Sequence, residues 1–304
     1  MMALESQVPH WEWYYIAMYF FIGGVSAGAY FIGSLAELMG FEKHRQVSRI
    51  AYYLAFPLIC ITPILLIADL GRPERFWHLF FSPGPGMPYM NILSPLSVGT
   101  WALLIYSGMT FLSFLNVLVA DGRLTSPLLK KLHELFGRLP HKVYAAIGSF
   151  FGFFVAGYTG VLLNITALPL WAGTDPLIGS LFIVSGASTG AAAIVLVMAW
   201  QRMTAGNDIE RLEVLDRIAM IAEIAVLVLM VIVAGQYALP LLRGWYGVLF
   251  LGGAVFLGIL VPLGLQWTGS RQAVGAFDRT ILSSSLVLFG GAILRIALVQ
   301  AGQL

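Results

Sequence analysis

Ionisable side chains in or beside long apolar segments are the groups in this sequence whose types and spacing could do chemistry. Glu223 lies in the sixth apolar segment, Asp216 lies immediately before that segment, and Arg295 lies in the eighth. A charge within the hydrocarbon of a bilayer is costly, so each group is expected to meet a partner or a water-filled cavity. Two interpretations are open: a proton path through the second half of the protein, or a buried structural salt bridge.

Asp69 and Arg72 lie at the end of the second apolar segment. They are three residues apart, which on a continuous helix would place both side chains on one face as an ion pair. Pro73 and the glycine before Arg72 are expected to stop the helix. The pattern fits an ion-paired helix end at the membrane interface with an aromatic anchor, or a functional charge pair.

Tyr158 lies fifteen residues into the fourth apolar segment. At 1.5 Å per residue this is about 22 Å across the membrane. Gly157 and Gly160 flank it, and small neighbours would let another helix or a flat ring approach closely. Its hydroxyl could hydrogen-bond a ligand carbonyl, or the residue could be an ordinary interfacial tyrosine.

Aromatic residues near the start of the sequence add a third cluster. Tyr15 and Tyr19 follow two tryptophans, which is typical of the aromatic belt at a membrane interface. Successive spans alternate in direction, so this cluster, the Asp69 end and the Tyr158 end should meet at one side of the membrane. Their convergence predicts a pocket for an amphipathic ring compound.

Composition and segment length predict a membrane protein. Of the 304 residues, 59% are hydrophobic and 11% are charged, against roughly 25% charged in soluble domains. A helix that crosses a bilayer needs roughly 20 apolar residues. Eight such windows occur, at approximately residues 14–37, 50–70, 95–119, 143–165, 177–200, 217–239, 246–266 and 281–300. The protein is therefore predicted to be an all-α integral membrane protein with about eight transmembrane helices, not a barrel of short alternating strands.

The whole sequence, residues 1–304, is predicted to be one transmembrane domain because its loops are too short for a soluble one. Residues 25–29 and 187–191 are similar in sequence, which suggests a duplicated four-helix unit. This predicts two four-helix bundles, at about 1–170 and about 171–304. The first apolar segment has spanning length and no basic stretch before it, so it is expected to remain as a helix.

Lysine and arginine counts in alternate loops predict the orientation. One set of loops carries thirteen of these residues and the other carries three, Arg72, Arg75 and Arg243. Basic loops face the cytoplasm, so both termini are expected to face outward. We expect a multi-pass protein of a bacterial or archaeal cell (inner) membrane. The net charge of +2 gives no reason to expect binding to nucleic acid.

Cysteine and histidine usage limits the cofactors that this protein can hold. Cys60 is the only cysteine, so the protein is expected to hold no iron–sulfur cluster and no structural zinc. No haem is expected within the membrane, because all five histidines fall in loops or at segment ends: His10, His44, His78, His133 and His141. The sequence has no nucleotide-binding glycine motif and no zinc-protease motif.

Motifs in the first five segments resemble the NrfD/PsrC family, the membrane subunits of polysulfide reductase-like complexes. They are residues 69–76 (DLGRPERF), 91–101 (NILSPLSVGTW), 158–163 (YTGVLL) with 169–171 (PLW), and 188–193 (STGAAA). The last three segments add the expected helix count and the pair Gly290-Gly291 before Arg295.

The resemblance implies eight helices, no haem and a site for menaquinone or ubiquinone near the outer face. It also implies a ferredoxin-like iron–sulfur subunit on that face, joined to a molybdopterin catalytic subunit or a multihaem cytochrome, with membrane lipids around the helices. By position, Tyr158 would hydrogen-bond the quinone, and Asp69 with Arg72 would border the pocket.

The first helix departs from the pattern of some family members, which place an asparagine and a histidine there as quinone contacts. Here Tyr15 and Tyr19 occupy that stretch and are the candidate contacts. His10 and His78, both expected on the outer side, could serve as proton exchangers in place of the missing histidine.

The predicted function is a quinone-binding membrane subunit that exchanges electrons with an iron–sulfur partner, and this exchange could be coupled to proton transfer. Asp69, Asp216, Glu223 and Arg295 are the candidates for a proton path. The protein is not expected to carry the catalytic centre of the complex. Two other interpretations are a secondary transporter or proton channel, and a passive anchor for a redox complex.

Overall fold

The computed structural model describes residues 13–39, 45–70, 72–81, 93–123, 126–136, 140–166, 168–202, 208–267 and 276–304. Every regular element in these ranges is a helix, which confirms the predicted all-α class. Eight helices are long and apolar enough to cross a membrane, as predicted. They are α1 (Tyr14–Leu38), α2 (Arg45–Ala68), α3 (Pro95–Ala120), α4 (His141–Asn164), α5 (Leu177–Trp200), α6 (Asp208–Leu242), α7 (Gly244–Trp267) and α8 (Asp278–Ala301).

Several helix ends extend beyond the apolar windows. The clearest case is α6, which begins at Asp208 rather than near residue 217. Asp208 and Glu210 lie in its first turn, where carboxylates interact favourably with the helix dipole and polar residues can reach interfacial water. As a consequence Asp216 lies inside α6, two turns from its start, and not before the helix.

Most helix contacts lie within each half of the sequence, so α1–α4 are called the first ring and α5–α8 the second ring below; the halves meet where α5 packs against α1 and α4. In the first half α1 packs against α2 and α4, and α3 packs against α2 and α4. In the second half α5 packs against α6 and α8, and α7 packs mainly against α8. The division of the sequence near residue 170 into two bundles stays a prediction. Among the described residues three shorter helices lie outside the spans: a 3₁₀ helix at Pro73–Leu79, an α-helix at Pro127–Phe136 and a single-turn α-helix at Pro169–Ala172.

Glycines bring α1 and α5 into backbone contact at the centre of the fold. A methyl group on Gly28 would overlap the backbone of Gly186, and one on Gly190 would overlap the backbone of Gly28. Gly28 and Gly190 occupy equivalent positions in the two similar segments. The internal similarity therefore coincides with a close helix crossing, where small residues allow strong van der Waals packing in lipid.

The end of the bundle that carries the start of α3 and the last turns of α2 and α4 is called the outer end below. The name follows the orientation predicted from loop charges.

Candidate functional site

Tyr158 lies near the outer end of α4 and turns toward the start of α3. Its hydroxyl donates a hydrogen bond to the carbonyl oxygen of Pro95, 2.7 Å away. The residue is 7% exposed, and its ring stacks on Phe154 with the centroids 5.9 Å apart. Because a carbonyl only accepts, the hydroxyl proton of Tyr158 is committed to Pro95, and the phenolic oxygen keeps lone pairs for another donor.

Gly99 lies on α3, one turn after Pro95, and leaves room for the Tyr158 ring. A methyl group at Gly99 would overlap ring atoms and the hydroxyl of Tyr158. The sequence marks Gly99 only by its place in the motif at residues 91–101, where it has no assigned role. Its function in the fold becomes visible only when α3 and α4 are packed together.

Replacing Gly99 by alanine is expected to displace the Tyr158 ring and break its bond to Pro95. The cost in the free energy of unfolding should be roughly 1–3 kcal/mol, which is the usual range for overpacking. Unfolding in detergent mixtures measures it. Gly108→Ala is the matched control on the same helix, because no described atom lies within 4 Å of a methyl group there. Equal stability of the two variants would contradict the Gly99 contact.

An open cavity of about 590 Å³ lies against Tyr158, between α3, α4 and α5. Its described walls are almost entirely apolar and include Phe150, Phe153, Phe154 and Gly157. Phe150 is 67% exposed, so the cavity opens on a surface that would face lipid. Its volume is within the range of small-molecule sites, roughly 300–1,000 Å³. Tyr158 and Pro95, which are hydrogen-bonded to each other, are both among the lining residues.

The other predicted quinone contacts that the structure describes lie at the same end of the bundle, but they are not part of the described cavity lining. Tyr19 is buried in α1, close enough to Tyr158 for their hydroxyl groups to interact electrostatically. Tyr15 is half-buried and packs edge-on against Tyr14. His78 is half-buried against Trp77, in the 3₁₀ helix after α2. The predicted contact at His10 lies outside the described residues.

The sequence predicts that Asp69 and Arg72 pair on one face of α2, but α2 ends before Asp69. As a regular helix α2 ends at Ala68, and Arg72 has φ −138° and ψ 82°, well outside helical values. The three-residue spacing therefore does not hold the two side chains on one helical face. Asp69 is half-buried and its backbone N–H still bonds the Leu65 carbonyl, whereas Arg72 is exposed.

Arg295 is completely buried where α8 faces α1 and α5. Its Nη1 donates to Ser185 Oγ at 2.7 Å and to the Gly291 carbonyl at 2.8 Å. The guanidinium carbon lies 5.4 Å from the ring centre of Phe182 and 5.9 Å from that of Phe21, a cation–π geometry. This buried cation is held by α5, α8 and two aromatic rings.

Glu223 faces Arg295 from α6. Both side chains are buried and attract each other electrostatically, and Ser185, the hydrogen-bond partner of Arg295, lies beside Glu223. A small cavity of about 10 Å³ lies beside Glu223 and Ser185, which is about the volume that one water molecule needs. The structure thus brings together two residues that the sequence placed 72 positions apart.

Asp216 lies two turns nearer the start of α6 and belongs to a second polar group. Ser188 donates to its Oδ1 at 2.6 Å, and Gln266 donates to its Oδ2 at 2.8 Å. Gln266 also contacts Ser283 of α8 at 3.2 Å. Seven residues separate Asp216 from Glu223, so both face the interior of the second ring.

Ser185 and Gln266 are polar partners that the sequence analysis does not single out, and it includes Ser188 only as part of the motif at residues 188–193. The two serines lie three residues apart in a helix that is otherwise rich in small residues, and Gln266 is close to the end of the seventh apolar window. An uncharged polar residue in a long apolar window is the signal that could have identified them, because such residues usually bond across helices.

Comparison with known proteins decides the family. A sequence model described as "Polysulphide reductase, NrfD" matches residues 4–304. The protein belongs to the NrfD family. It is 26% identical over 331 residues to a protein named NrfD homolog from Haemophilus influenzae, covering 100% of this sequence and 99% of that protein. With the C component of polysulfide reductase from Wolinella succinogenes it shares 27% identity over 322 residues, covering 98% of this sequence and 95% of that protein.

A shorter match links this NrfD-family protein to the C component of selenate reductase from Mesobacillus selenatarsenatis, at 30% identity over 78 residues, or 26% of this sequence and 18% of that protein. The predicted family is confirmed. Eight apolar helices and family membership also confirm a multi-pass integral protein of the bacterial inner membrane. The family consists of membrane subunits of reductase complexes.

Proposed function

We propose that this protein binds menaquinone or ubiquinone in the cavity beside Tyr158 and exchanges electrons between the membrane quinone pool and an iron–sulfur subunit on the outer face. The proposed partner is ferredoxin-like and is joined to a molybdopterin catalytic subunit or a multihaem cytochrome. The observation that carries the proposal is an apolar cavity, open toward lipid, that is lined by Tyr158.

The cavity walls suit a flat ring with a long apolar tail. Phe154 and the Tyr158 ring are nearly parallel, at 13°, and offer aromatic surface to a planar ligand. Gly157 also lines the cavity, and Ile183 of α5 packs against it. The exposed Phe150 side would let a lipid-soluble tail remain in the membrane while the ring enters between the helices.

The hydrogen-bond direction at Tyr158 favours the reduced ligand. Its proton is committed to the Pro95 carbonyl, so the phenolic oxygen can accept a bond from a hydroxyl group without breaking an existing one. A ligand carbonyl could bond to Tyr158 only if the tyrosine gave up Pro95. We therefore expect the quinol form to bind more tightly than the quinone form.

A bound quinol supplies two electrons and two protons when it is oxidised. In the proposed function Tyr158 orients the ring, and Asp69 passes protons toward outer water. Further contacts are proposed for other residues at or near the outer end: Arg72, Tyr15, Tyr19, His10 and His78. In the second ring Asp216, Glu223 and Arg295 are proposed as a separate proton path, supported by their burial around Ser185 and Ser188.

Replacing Tyr158 by phenylalanine tests the site. The variant removes one hydrogen bond to the ligand, so the Kd for quinol should rise about 2- to 10-fold, and quinol-dependent electron transfer should slow. Both are measured on the purified complex, the Kd by quenching of tryptophan fluorescence. Tyr237→Phe is the control, because it removes an exposed hydroxyl at the outer end of α6. Unchanged affinity in Tyr158→Phe would refute the assignment.

Two further measurements separate the proposal from the other two interpretations. A transporter or proton channel would produce solute or proton flux in liposomes that contain this protein alone. A passive anchor would bind no quinone and would show no quenching of tryptophan fluorescence by quinone.

A further inference from the structure

α3 ends in a glycine-centred turn at the end of the bundle opposite Tyr158, which is the predicted cytoplasmic end. Gly122 has φ +66°. The N–H groups of Gly122 and Arg123 bond carbonyls three and five residues earlier in α3, both at 3.0 Å. This is the Schellman arrangement, which closes a helix with a residue in the left-handed region. The turn therefore stops α3 and lets the chain leave the direction of the span.

Asp121 ties this turn to α2. Arg49 and Tyr53 both donate to Asp121 Oδ2, at 2.8 Å and 2.7 Å. The guanidinium carbon of Arg123 lies 5.9 Å from the ring centre of Tyr53, a cation–π geometry. The negative charge of Asp121 is thus compensated by Arg49, and the exposed Arg123 adds a further positive charge at the turn.

A helix of ten residues, Pro127–Phe136, follows the turn and is called the connecting helix. It begins with proline, whose fixed φ suits the first position of a helix, and the N–H of Lys130 bonds the Ser126 carbonyl at 3.1 Å. The connecting helix packs against α3, and α4 begins soon after it at His141. It therefore joins two neighbouring spans at one end of the bundle.

The connecting helix is strongly amphipathic. Each residue turns a helix by about 100°. Leucine or phenylalanine occupies positions 128, 129, 132, 135 and 136, which fall within an arc of about 120°. Lys130, Lys131 and Glu134 occupy positions on the opposite arc. Both lysine side chains are exposed, and Leu129 is half-buried. One apolar face and one charged face are typical of helices that lie in a membrane interface.

Short connections hold the connecting helix close to the membrane surface. Positions 122 and 126 are four residues apart in the sequence, and positions 136 and 141 are five apart. Even fully extended, such connections reach only about 14 Å and about 18 Å. Because α3 and α4 both cross the bilayer, the connecting helix begins and ends near the headgroup layer. Its apolar face can then enter the edge of the hydrocarbon while its lysines stay at the level of the phosphates.

Positive charge predominates in this part of the sequence. Residues 121–142 contain five basic and two acidic side chains. The basic residues are Arg123, Lys130, Lys131, Arg138 and Lys142. Of the acidic ones, Asp121 is already paired with Arg49. Clusters of roughly four to eight basic residues beside a transmembrane helix or on an amphipathic helix attract anionic lipids. The charge of this segment is therefore complementary to a negatively charged headgroup.

We propose that the connecting helix is an interfacial helix that binds anionic phospholipids of the predicted cytoplasmic leaflet, with Arg123, Lys130 and Lys131 as the cations for their phosphates. The apolar face packs against the acyl chains of the same lipids. This lipid site lies at the end of the first ring opposite Tyr158, and it does not depend on the proposed quinone function.

A fluorescent label on the apolar face tests the lipid site. Cys60 is the only cysteine, so Leu129→Cys in a Cys60→Ser background takes one bimane label. The full-length protein is placed in vesicles with brominated phosphatidylglycerol or brominated phosphatidylcholine, and quenching gives the relative binding constant of the two lipids. Phosphatidylglycerol should be preferred on the order of tenfold, because each cation near a surface favours anionic lipid.

Removing charge from the connecting helix should remove the preference. Lys130→Gln with Lys131→Gln should bring the relative binding constant close to one. Arg202→Gln with Arg211→Gln is the matched control: it removes two exposed cations at the same end of the bundle, in the second ring, and should leave the preference unchanged. Equal quenching by both lipids, or the same preference in both double variants, would overturn the proposal. Quenching by neither lipid would also overturn it, because a protein partner or water would then cover the helix.

Hydrogen exchange provides a second measurement on the unlabelled full-length protein. In nanodiscs of phosphatidylglycerol the amides of residues 127–136 should exchange at least about fivefold more slowly than in nanodiscs of phosphatidylcholine. The first turn of α6, from Asp208, should exchange equally in both. Lys130→Gln with Lys131→Gln should abolish the difference at residues 127–136. Identical exchange of these amides in the two lipids would refute the lipid site.

Discussion

Replacing Gly28 by alanine is expected to destabilise the whole fold by about 3 kcal/mol or more, because the new methyl group would overlap the backbone of Gly186. A flexible side chain could move aside, but two helix backbones can only separate. Separation of α1 from α5 would weaken the central contact between the two rings. Unfolding of the purified protein in mixed detergent measures the loss, and low recovery of folded protein would accompany it.

Gly252→Ala is the control for this prediction. It adds the same methyl group to a transmembrane glycine of α7, at a place where no atom of the described residues lies within 4 Å. Helix propensity then makes alanine neutral or slightly stabilising. If Gly28→Ala is as stable as Gly252→Ala, the close crossing of α1 and α5 is wrong.

Arg295→Met is expected to cost about 3–5 kcal/mol in the free energy of unfolding, because it removes one partner of a buried charge pair. Methionine fills most of the space beside Phe21 and Phe182. The substitution removes the cation that faces Glu223 and the group that donates to Ser185. Unfolding in mixed detergent again measures the change.

A double variant separates charge from packing. In Arg295→Met with Glu223→Gln neither charge remains, so the combined cost should be clearly smaller than the sum of the two single costs. Additive costs would mean that Glu223 and Arg295 do not interact. The same variants test the proposed proton path, since loss of both charges should impair proton movement through the second ring even where stability recovers.

Helix number and the general position of the candidate residues follow from local composition. Long apolar windows with polar ends leave few alternatives in a bilayer, because every backbone N–H and C=O must be paired within the segment. The motif around Tyr158 was therefore correctly assigned to the end of a helix. Boundaries were less predictable, as α6 shows, because helices continue into the interfacial region where charged residues such as Asp208 are tolerated.

The relations among side chains could not be predicted from the sequence. The Tyr158 hydroxyl was expected to serve a ligand, and it also bonds Pro95, which is 63 residues away. Gly99 has no local signal of its role, since it matters only through Tyr158 on another helix. Ser185 is marked only as a polar residue in an apolar window, and the sequence does not show that its partner is Arg295.

The sequence by itself determined the class of protein, the number of spans and the family, because these depend on composition, segment length and short ordered motifs. Only the tertiary structure decided which polar groups meet. It placed Glu223 beside Arg295, and it showed that Asp69 and Arg72 do not lie on a common helical face. The physical reason is that hydrogen bonds and ion pairs act over about 3 Å, and only packing brings distant parts of the sequence that close.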